Sequence, residues 1–307
     1  MDGFAGKLAA VTGGGSGMGR ELVRQLVAQG CSVAACDWNA AAVADTVAMA
    51  QAGAPDGVRV SSHACDVSDE AQVQRFRDEL LREHAADHVD LVFSNAGIGG
   101  GASFITSSRE EWERTFAVDW WGTYYCARTF LPLLIASGDG ALVNTSSVNG
   151  FWASLGPRMP NSAYATAKFA VKGFTEGLIE DLRTNAPQVR VALVMPGHVG
   201  TDILASTRRA HGTPEPEDTS VGRIETGFRE KAPLTAAVAA TIILDGVRSG
   251  AWRILVGEDA KILDAAVRAR PEAAYDYAKL AMAAVKTTVE ARASRWSATI
   301  RSFFPRD

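Results

Sequence analysis

The chain has 307 residues, enough for one large domain or two small ones. Its 47% hydrophobic and 21% charged residues are those of an ordinary globular protein. A net charge of -4 argues against a broad nucleic-acid-binding face, which needs a basic excess, and no apolar run approaches the roughly 18 residues of a membrane span. The first apolar run begins near Lys7, so no signal peptide is expected. Cys31, Cys36, Cys65 and Cys126 lie in apolar surroundings without C-x-x-C spacing. They read as buried small hydrophobes of a reducing, cytoplasmic compartment.

In chain order, Lys7 to Thr12 is a short apolar run that stops at glycines. Gly17 to Gln29 follows with Met18, Leu22, Leu26 and Val27 on one helical face. Further apolar runs are Ser32 to Asp37, Val58 to Ser62, Val89 to Ser94, Ala141 to Ser146, Val189 to Met195 and Trp252 to Val256. Helical patterns separate them, over roughly Ala40 to Ala52, Ser68 to His84, Ser108 to Ala136, Ala163 to Asn185 and Thr235 to Arg248. Near-continuous apolar strands with intervening amphipathic helices predict a parallel sheet covered on both faces. The expected class is α/β, a doubly wound seven-stranded parallel sheet over residues 1–257. Asp202 to Lys231 is polar and rich in Pro, Thr and Arg, and is expected to be a substrate lid over 202–231, mobile without ligand. Residues 258–307 read as a helical C-terminal extension, broken at Pro271, that adds to an assembly or helps close a pocket.

Thr12-Gly13-Gly14-Gly15-Ser16-Gly17-Met18-Gly19 sits between the first strand and its helix. Glycines let a backbone turn tightly and approach a pyrophosphate, and the helix N-terminus offers free N–H groups. Asp37 ends the second strand 18 residues after Gly19, where a carboxylate can accept both adenosine-ribose hydroxyls. The loop and the residues after the strand, Trp38 and Asn39, carry no cation to offset an NADP 2′-phosphate. NAD is therefore the expected cofactor. Tyr164 and Lys168 are spaced i,i+4 on a helix and project from one face. A nearby ammonium favours the phenolate, which could then take the proton of an alcohol. A serine hydroxyl can hold the substrate oxygen.

At this point the chain resembles the short-chain dehydrogenase/reductase (SDR) family in its classical form, over about residues 5–257. The family's T-G-x-x-x-G-x-G matches at Thr12, Gly13, Gly17 and Gly19. Asp66-Val67, Ser94-Asn95-Ala96-Gly97, Thr145-Ser146-Ser147, Tyr164 to Lys168 and Pro196-Gly197-His198-Val199-Gly200-Thr201 follow in family order. The resemblance implies a Rossmann fold. It also implies an NAD(H)-dependent oxidoreductase that interconverts a secondary alcohol and its ketone. Cofactor contacts would fall on Gly13, Ser16, Gly17, Met18, Gly19, Asp37, Asp66, Val67, Asn95, Ala96, Gly97, Tyr164, Lys168, Pro196, Gly197, Val199 and Thr201. Catalysis would fall on Ser147, Tyr164, Lys168 and Asp119. Ser147 is preferred to Ser146 because Val148-Asn149-Gly150 follow it as two small residues and a glycine follow the family serine. Asp119 stands where the family carries asparagine, and an ionised carboxylate only accepts hydrogen bonds. It could position a water chain behind Lys168 or pair with Lys168 directly.

No metal site is expected: His84 and His88 have helical spacing but no evident third ligand. His198 is a candidate nicotinamide or substrate contact. Ile98, Phe151, Trp152, Leu155 and Met159 surround the expected pocket and suggest a small hydrophobic alcohol or ketone. Nucleic acid and membrane are not expected as partners, whereas a homodimer or homotetramer is. The competing readings are an NAD-dependent epimerase or dehydratase, whose usual T-G-x-x-G-x-x-G is absent, and a non-catalytic dinucleotide sensor.

Overall fold

A computed structural model of the chain describes residues 3–156, 158–213, 219–276 and 279. The expectations for the C-terminal tail beyond these lie outside the described residues. The strands are β1 (Leu8–Thr12), β2 (Ser32–Asp37), β3 (Val60–Ala64), β4 (Leu91–Ser94), β5 (Gly140–Thr145), β6 (Val189–Pro196), β7 (Val199–Gly200), β8 (Leu234–Thr235) and β9 (Arg253–Val256). The helices are α1 (Gly17–Ala28), α2 (Ala40–Gln51), α3 (Glu70–His84), α4 (Arg109–Phe116), α5 (Gly122–Ala136), α6 (Ser162–Asn185), α7 (Ile203–Ala210), α8 (Thr219–Glu230), α9 (Ala236–Arg248) and α10 (Glu258–Ala269).

Seven strands form one parallel sheet in the order β3-β2-β1-β4-β5-β6-β9, and β7 and β8 form a separate two-stranded ladder. The side-chain alternation of a strand explains why both faces are covered. In β1, Ala9 and Val11 enter a core built with α1, α2 and α9, whereas Leu8 and Ala10 enter a second core built with α3, α5 and α6. β2 divides its residues the same way, with Val33 and Ala35 on the first side and Ala34 and Cys36 on the second. Such strands have no polar face, which is why their runs are continuously apolar.

The strand order reverses between β1 and β4, since β2 and β3 lie to one side and β5, β6 and β9 to the other. In such sheets the reversal opens a crevice at the carboxyl ends of the strands. Thr12 ties that edge together. Its Oγ1 accepts the N–H groups of Asn95 and Ala96 at 3.0 and 3.1 Å, joining the end of β1 to the segment after β4.

Three elements depart from the sequence reading. β3 begins and ends two residues late, because its ladder with β2 starts with Val33 opposite Val60, after the turn through Pro55 and Gly57. The helix expected over Ser108 to Ala136 is interrupted by a π-helical turn, Ala117–Trp121, between α4 and α5. Such turns insert a residue into the helical ladder and often occur at functional sites; this one carries Asp119. The expected irregular lid contains two helices, α7 and α8, held together by the partly buried Arg208–Glu225 ion pair at 2.9 Å. Polar composition hid a real amphipathic pattern in both.

Of the expected helical extension, the described residues carry α10 and a short 3-10 turn, Pro271–Ala273. α10 is bonded to the sheet through Arg253, whose guanidinium pairs with both oxygens of Asp264. Leu263, Ala266 and Val267 of α10 pack with Ala274, Phe151 and Trp152. The Trp152 indole N–H donates to the Ala274 carbonyl at 2.8 Å, and the Ala153 N–H donates to the Tyr275 hydroxyl at 3.1 Å.

Candidate active site

The glycine loop after β1 turns at Gly13, whose φ of +67° lies in the left-handed region. At Gly19 the backbones meet so closely that a Cβ would stand 2.0 Å from the Gly13 carbonyl oxygen. Gly13, Ser16, Gly17, Met18 and Gly19 line one wall of the crevice. Asp37, Asp66, Val67, Asn95, Ala96, Gly97 and Thr201 line the same crevice, so the dispersed motifs converge. Asp37 is fixed by two backbone donors, Gly15 N–H to Oδ2 at 3.0 Å and Asn39 N–H to Oδ1 at 2.9 Å. Burial pushes its carboxyl above the usual carboxylate range, against those two N–H groups and the charges of Arg20 and Arg209.

The shape and donors of this crevice fit a dinucleotide. The glycine wall leaves no room for side chains, a carboxylate stands at the end of β2, and the buried Asn95 Oδ1 has no hydrogen-bond partner among the described residues. Asp66 is engaged in a way the sequence did not suggest. Its Oδ1 accepts from the Ser68 N–H and hydroxyl, and its Oδ2 accepts from Arg114 at 2.8 Å. Burial would raise the Asp66 carboxyl, but Ser68 and Arg114 hold it below its ordinary value.

At the carboxyl end of β5 lies a second group. The residue after it, Ser146, is buried and donates its hydroxyl to the Lys168 carbonyl at 2.8 Å, so that hydroxyl is committed to structure. Ser147 makes no such bond to Lys168, and its Oγ accepts the Asn149 N–H at 3.1 Å. Tyr164 and Lys168 share a face of α6, with the ammonium 5.4 Å from the phenol ring centroid. Lys168 is buried and donates to the Thr145 carbonyl at 3.2 Å. Its nitrogen stands 3.4 Å from Asp119 Oδ1, which also accepts the Ile98 N–H at 3.0 Å. The group borders the crevice: a Cβ on Gly97 would lie 3.1 Å from the Lys168 nitrogen.

The electrostatics differ from the simple Tyr–Lys expectation. Burial pushes the Tyr164 phenol up; Lys168 pulls it down and Asp119 pushes it up again, leaving it above its ordinary value. Burial pulls the Lys168 ammonium down, but Asp119 and Tyr164 outweigh it and hold it above its ordinary value. Burial pushes Asp119 up to about 6, against Lys168 and the Ile98 N–H. Asp119 is fully buried, and its Oδ2 has no partner among the described residues. The lysine charge is therefore shared between phenol and carboxylate, so the free protein does not lower the phenol as the pair alone would.

Other predicted residues are placed as follows. The Gly197 N–H donates to Val256, and the His198 N–H donates to Asp259 of α10 at 2.7 Å. The His198 ring turns away toward α8, with Nε2 2.8 Å from the Phe228 carbonyl and the rings 4.3 Å apart. This corrects the suggestion that it contacts substrate: an imidazole finds a carbonyl and an aromatic partner in the 202–231 segment. Pro196 and Val199 are buried at the end of β6 and in β7. Of the apolar residues assigned to the pocket, Ile98 lines the crevice, whereas Phe151 and Trp152 pack on the C-terminal cluster. Leu155 and Met159 are 51% and 54% exposed. Sequence reasoning missed Arg114, Asp259 and Arg209. Only Arg209 left a signal, the i, i+3, i+7 spacing of Ile203, Ser206 and Ala210 around it.

A family model described as short chain dehydrogenase matches residues 7–212. The putative oxidoreductase SadH of Mycobacterium tuberculosis is 36% identical over 268 residues, 87% of this chain and 92% of that protein. Meso-2,3-butanediol dehydrogenase of Serratia marcescens is 32% identical over 243 residues, 79% of this chain and 89% of that protein. Among solved structures, a short chain dehydrogenase/reductase from Burkholderia phymatum in complex with NAD superposes with a TM-score of 0.76 at 30% identity. That alignment covers 89% of this chain and 95% of the other.

Proposed function

The chain belongs to the short-chain dehydrogenase/reductase family and is an oxidoreductase of it, and from that premise we propose an NAD-dependent interconversion of a hydrophobic secondary alcohol and its ketone. The observation that carries this reading is the Tyr164–Lys168 pair of α6 beside the crevice, with Ser147 next in the chain to the Ser146 that bonds the Lys168 carbonyl. The glycine wall, Asp37, Asn95, Gly97 and Thr201 would hold the dinucleotide, with Lys168 and Tyr164 nearby. A bound nicotinamide would supply the acceptor or donor of the hydride on the alcohol carbon.

The chain's own residues handle the proton. Ser147 Oγ holds the substrate oxygen, and Tyr164 Oη takes the hydroxyl proton during oxidation or returns it during reduction. Lys168 stabilises the phenolate from its fixed position between Thr145 and Asp119. Asp119 competes for that charge and so sets the pH at which Tyr164 becomes a base.

NAD is favoured over NADP because Asp37 cannot swing away from a 2′-phosphate, being held by two N–H groups. The Burkholderia relative is in complex with NAD and a metagenomic relative with NADP, so the preference rests on Asp37. A hydrophobic substrate is supported by Ile98 in the crevice and by exposed Leu155 and Met159 in the segment leading to Tyr164. No helix of the described residues is long and apolar enough to cross a membrane. The four free, buried cysteines suit a cytoplasmic setting. Trp121 at the end of the π-turn and Phe169 of α6 are each 41% exposed, which supports a homo-oligomer that covers them.

The test is a panel of alcohols with NAD, read by absorbance of the reduced nicotinamide. Net NADH formation with apolar secondary alcohols is expected. Equal or better turnover of polyols would reject the substrate class, and absence of net NADH with every alcohol would favour an epimerase or a sensor.

A further inference from the structure

Helix α7 lies along the cofactor crevice. Ile203, Ser206 and Ala210 line it with Arg209, and spacings of three and four residues place the first three on one helical face. At one end α7 follows Thr201, whose methyl carbon is 3.1 Å from where a Cβ on Gly17 would stand. At the other end the charge of Arg209 is felt by Asp37. An eight-residue helix spans roughly 12 Å, so α7 runs from the middle of the glycine loop toward the adenosine-ribose end.

Its position is fixed by contacts outside the crevice. The Gly99 N–H donates to Thr207 Oγ1 at 2.7 Å, and His211 Nε2 lies 3.2 Å from the Gly99 carbonyl. These contacts hold Arg209 in place between them in sequence.

The cations around the crevice are not equivalent. Arg114 is neutralised by Asp66 at 2.8 Å. Arg20 spends its guanidinium on the Gly15 carbonyl and the Thr46 hydroxyl. Arg209 makes one weak bond among the described residues, to Ser206 Oγ at 3.4 Å, and has no carboxylate within ion-pair distance there. A guanidinium lining an anion-binding crevice without an acidic partner is suited to phosphate oxygens.

We propose that Arg209 is a cofactor-binding residue, delivered by α7, that pairs with phosphate of the bound dinucleotide. This rests on the dinucleotide reading of the crevice. It gives the 202–231 segment a role in holding cofactor in addition to covering substrate.

The test is fluorescence titration of the full chain with NADH and NADPH, and competition by ADP-ribose and adenosine, for wild type, Arg209→Ala and Arg209→Lys. Arg209→Ala is expected to raise the NADH Kd about tenfold, the size of one charge-assisted contact. Arg209→Lys should keep most of the affinity, ADP-ribose should follow NADH, and adenosine should be unaffected. A greater loss for NADPH would place the charge at the 2′-phosphate, and an equal loss would place it at the diphosphate. Unchanged Kd values for both cofactors in Arg209→Ala, with wild type binding, would overturn the proposal alone. So would equal weakening of adenosine, which signals general damage to the crevice. Wild type that bound neither cofactor would remove the dinucleotide reading and this proposal with it. Arg209 is exposed, so the variants are expected to fold as wild type, checked by equal thermal midpoints.

Discussion

Lys168 places its ammonium 3.4 Å from Asp119 Oδ1, inside the protein, where the sequence resemblance leads one to expect an asparagine. A buried charge pair of this kind redistributes protonation between its members and any third group beside them. Here the third group is Tyr164.

Asp119→Asn should therefore lower the Tyr164 pKa. The sign follows from charge: a negative group near a phenol disfavours phenolate, and its removal favours it. For alcohol oxidation, the apparent pKa of the rising limb of kcat/KM against pH should fall by about one unit. An inflection near the Asp119 value of about 6 should vanish at the same time. Profiles that superimpose for wild type and variant would rule out this coupling.

Tyr164→Phe should reduce kcat/KM by at least about a thousandfold, within the usual range for losing a positioned acid–base group. Its NADH Kd, read by fluorescence, should change less than about threefold, since glycine-loop and Asp37 contacts remain. A comparable loss in Ser146→Ala is not expected, because that hydroxyl faces the Lys168 carbonyl. If Ser146→Ala proved as damaging as Ser147→Ala with a normal thermal midpoint, the choice of serine would be wrong.

Wild type should prefer NAD to NADP by about 100-fold in kcat/KM, for which roughly 2.7 kcal/mol suffices. Like charges at Asp37 and a 2′-phosphate cost several kcal/mol. A guanidinium such as Arg209 offsets only part of that, about the 1.4 kcal/mol of a tenfold contact. Asp37→Ala should narrow the gap, with some NADPH affinity gained. Asp37→Ala/Arg209→Ala should lose that gain. Equal efficiency with both cofactors in wild type would defeat the assignment.

The C-terminal segment should be needed for stability. Arg253 and Asp264 are both largely buried, and Arg268 adds a second cation to the same carboxylate at 3.0 Å. Burial would raise the Asp264 carboxyl, but the two arginines hold it below its ordinary value. A carboxyl depressed in the folded state contributes stability above its unfolded pKa, which is lost as pH falls through the folded value. Arg253→Met should thus cost about 3 kcal/mol at neutral pH and less in acid, by chemical denaturation. Truncation after Gly257 should destabilise further, since it also uncovers Trp152. A truncated chain with wild-type stability would show that α10 is dispensable.

Periodicity, glycines and motif spacing were enough to assign the class, the seven main-sheet strands, the crevice and the placing of Tyr164 and Lys168 on one helical face. These features are local: a parallel strand buried on both faces must be apolar throughout, and a phosphate-binding turn must be free of side chains. The tertiary structure added to the preference for Ser147 that the Lys168 backbone carbonyl claims the Ser146 hydroxyl. It turned His198 onto Phe228 and brought Arg209 from a distant helix to the Asp37 end of the crevice. It also opened the π-turn that carries Asp119, and set that carboxylate against Lys168. Apart from the helical spacing around Arg209, these arrangements have no local signature. Each depends on which atoms packing brings within a few ångströms, where burial and charge fix what a side chain does.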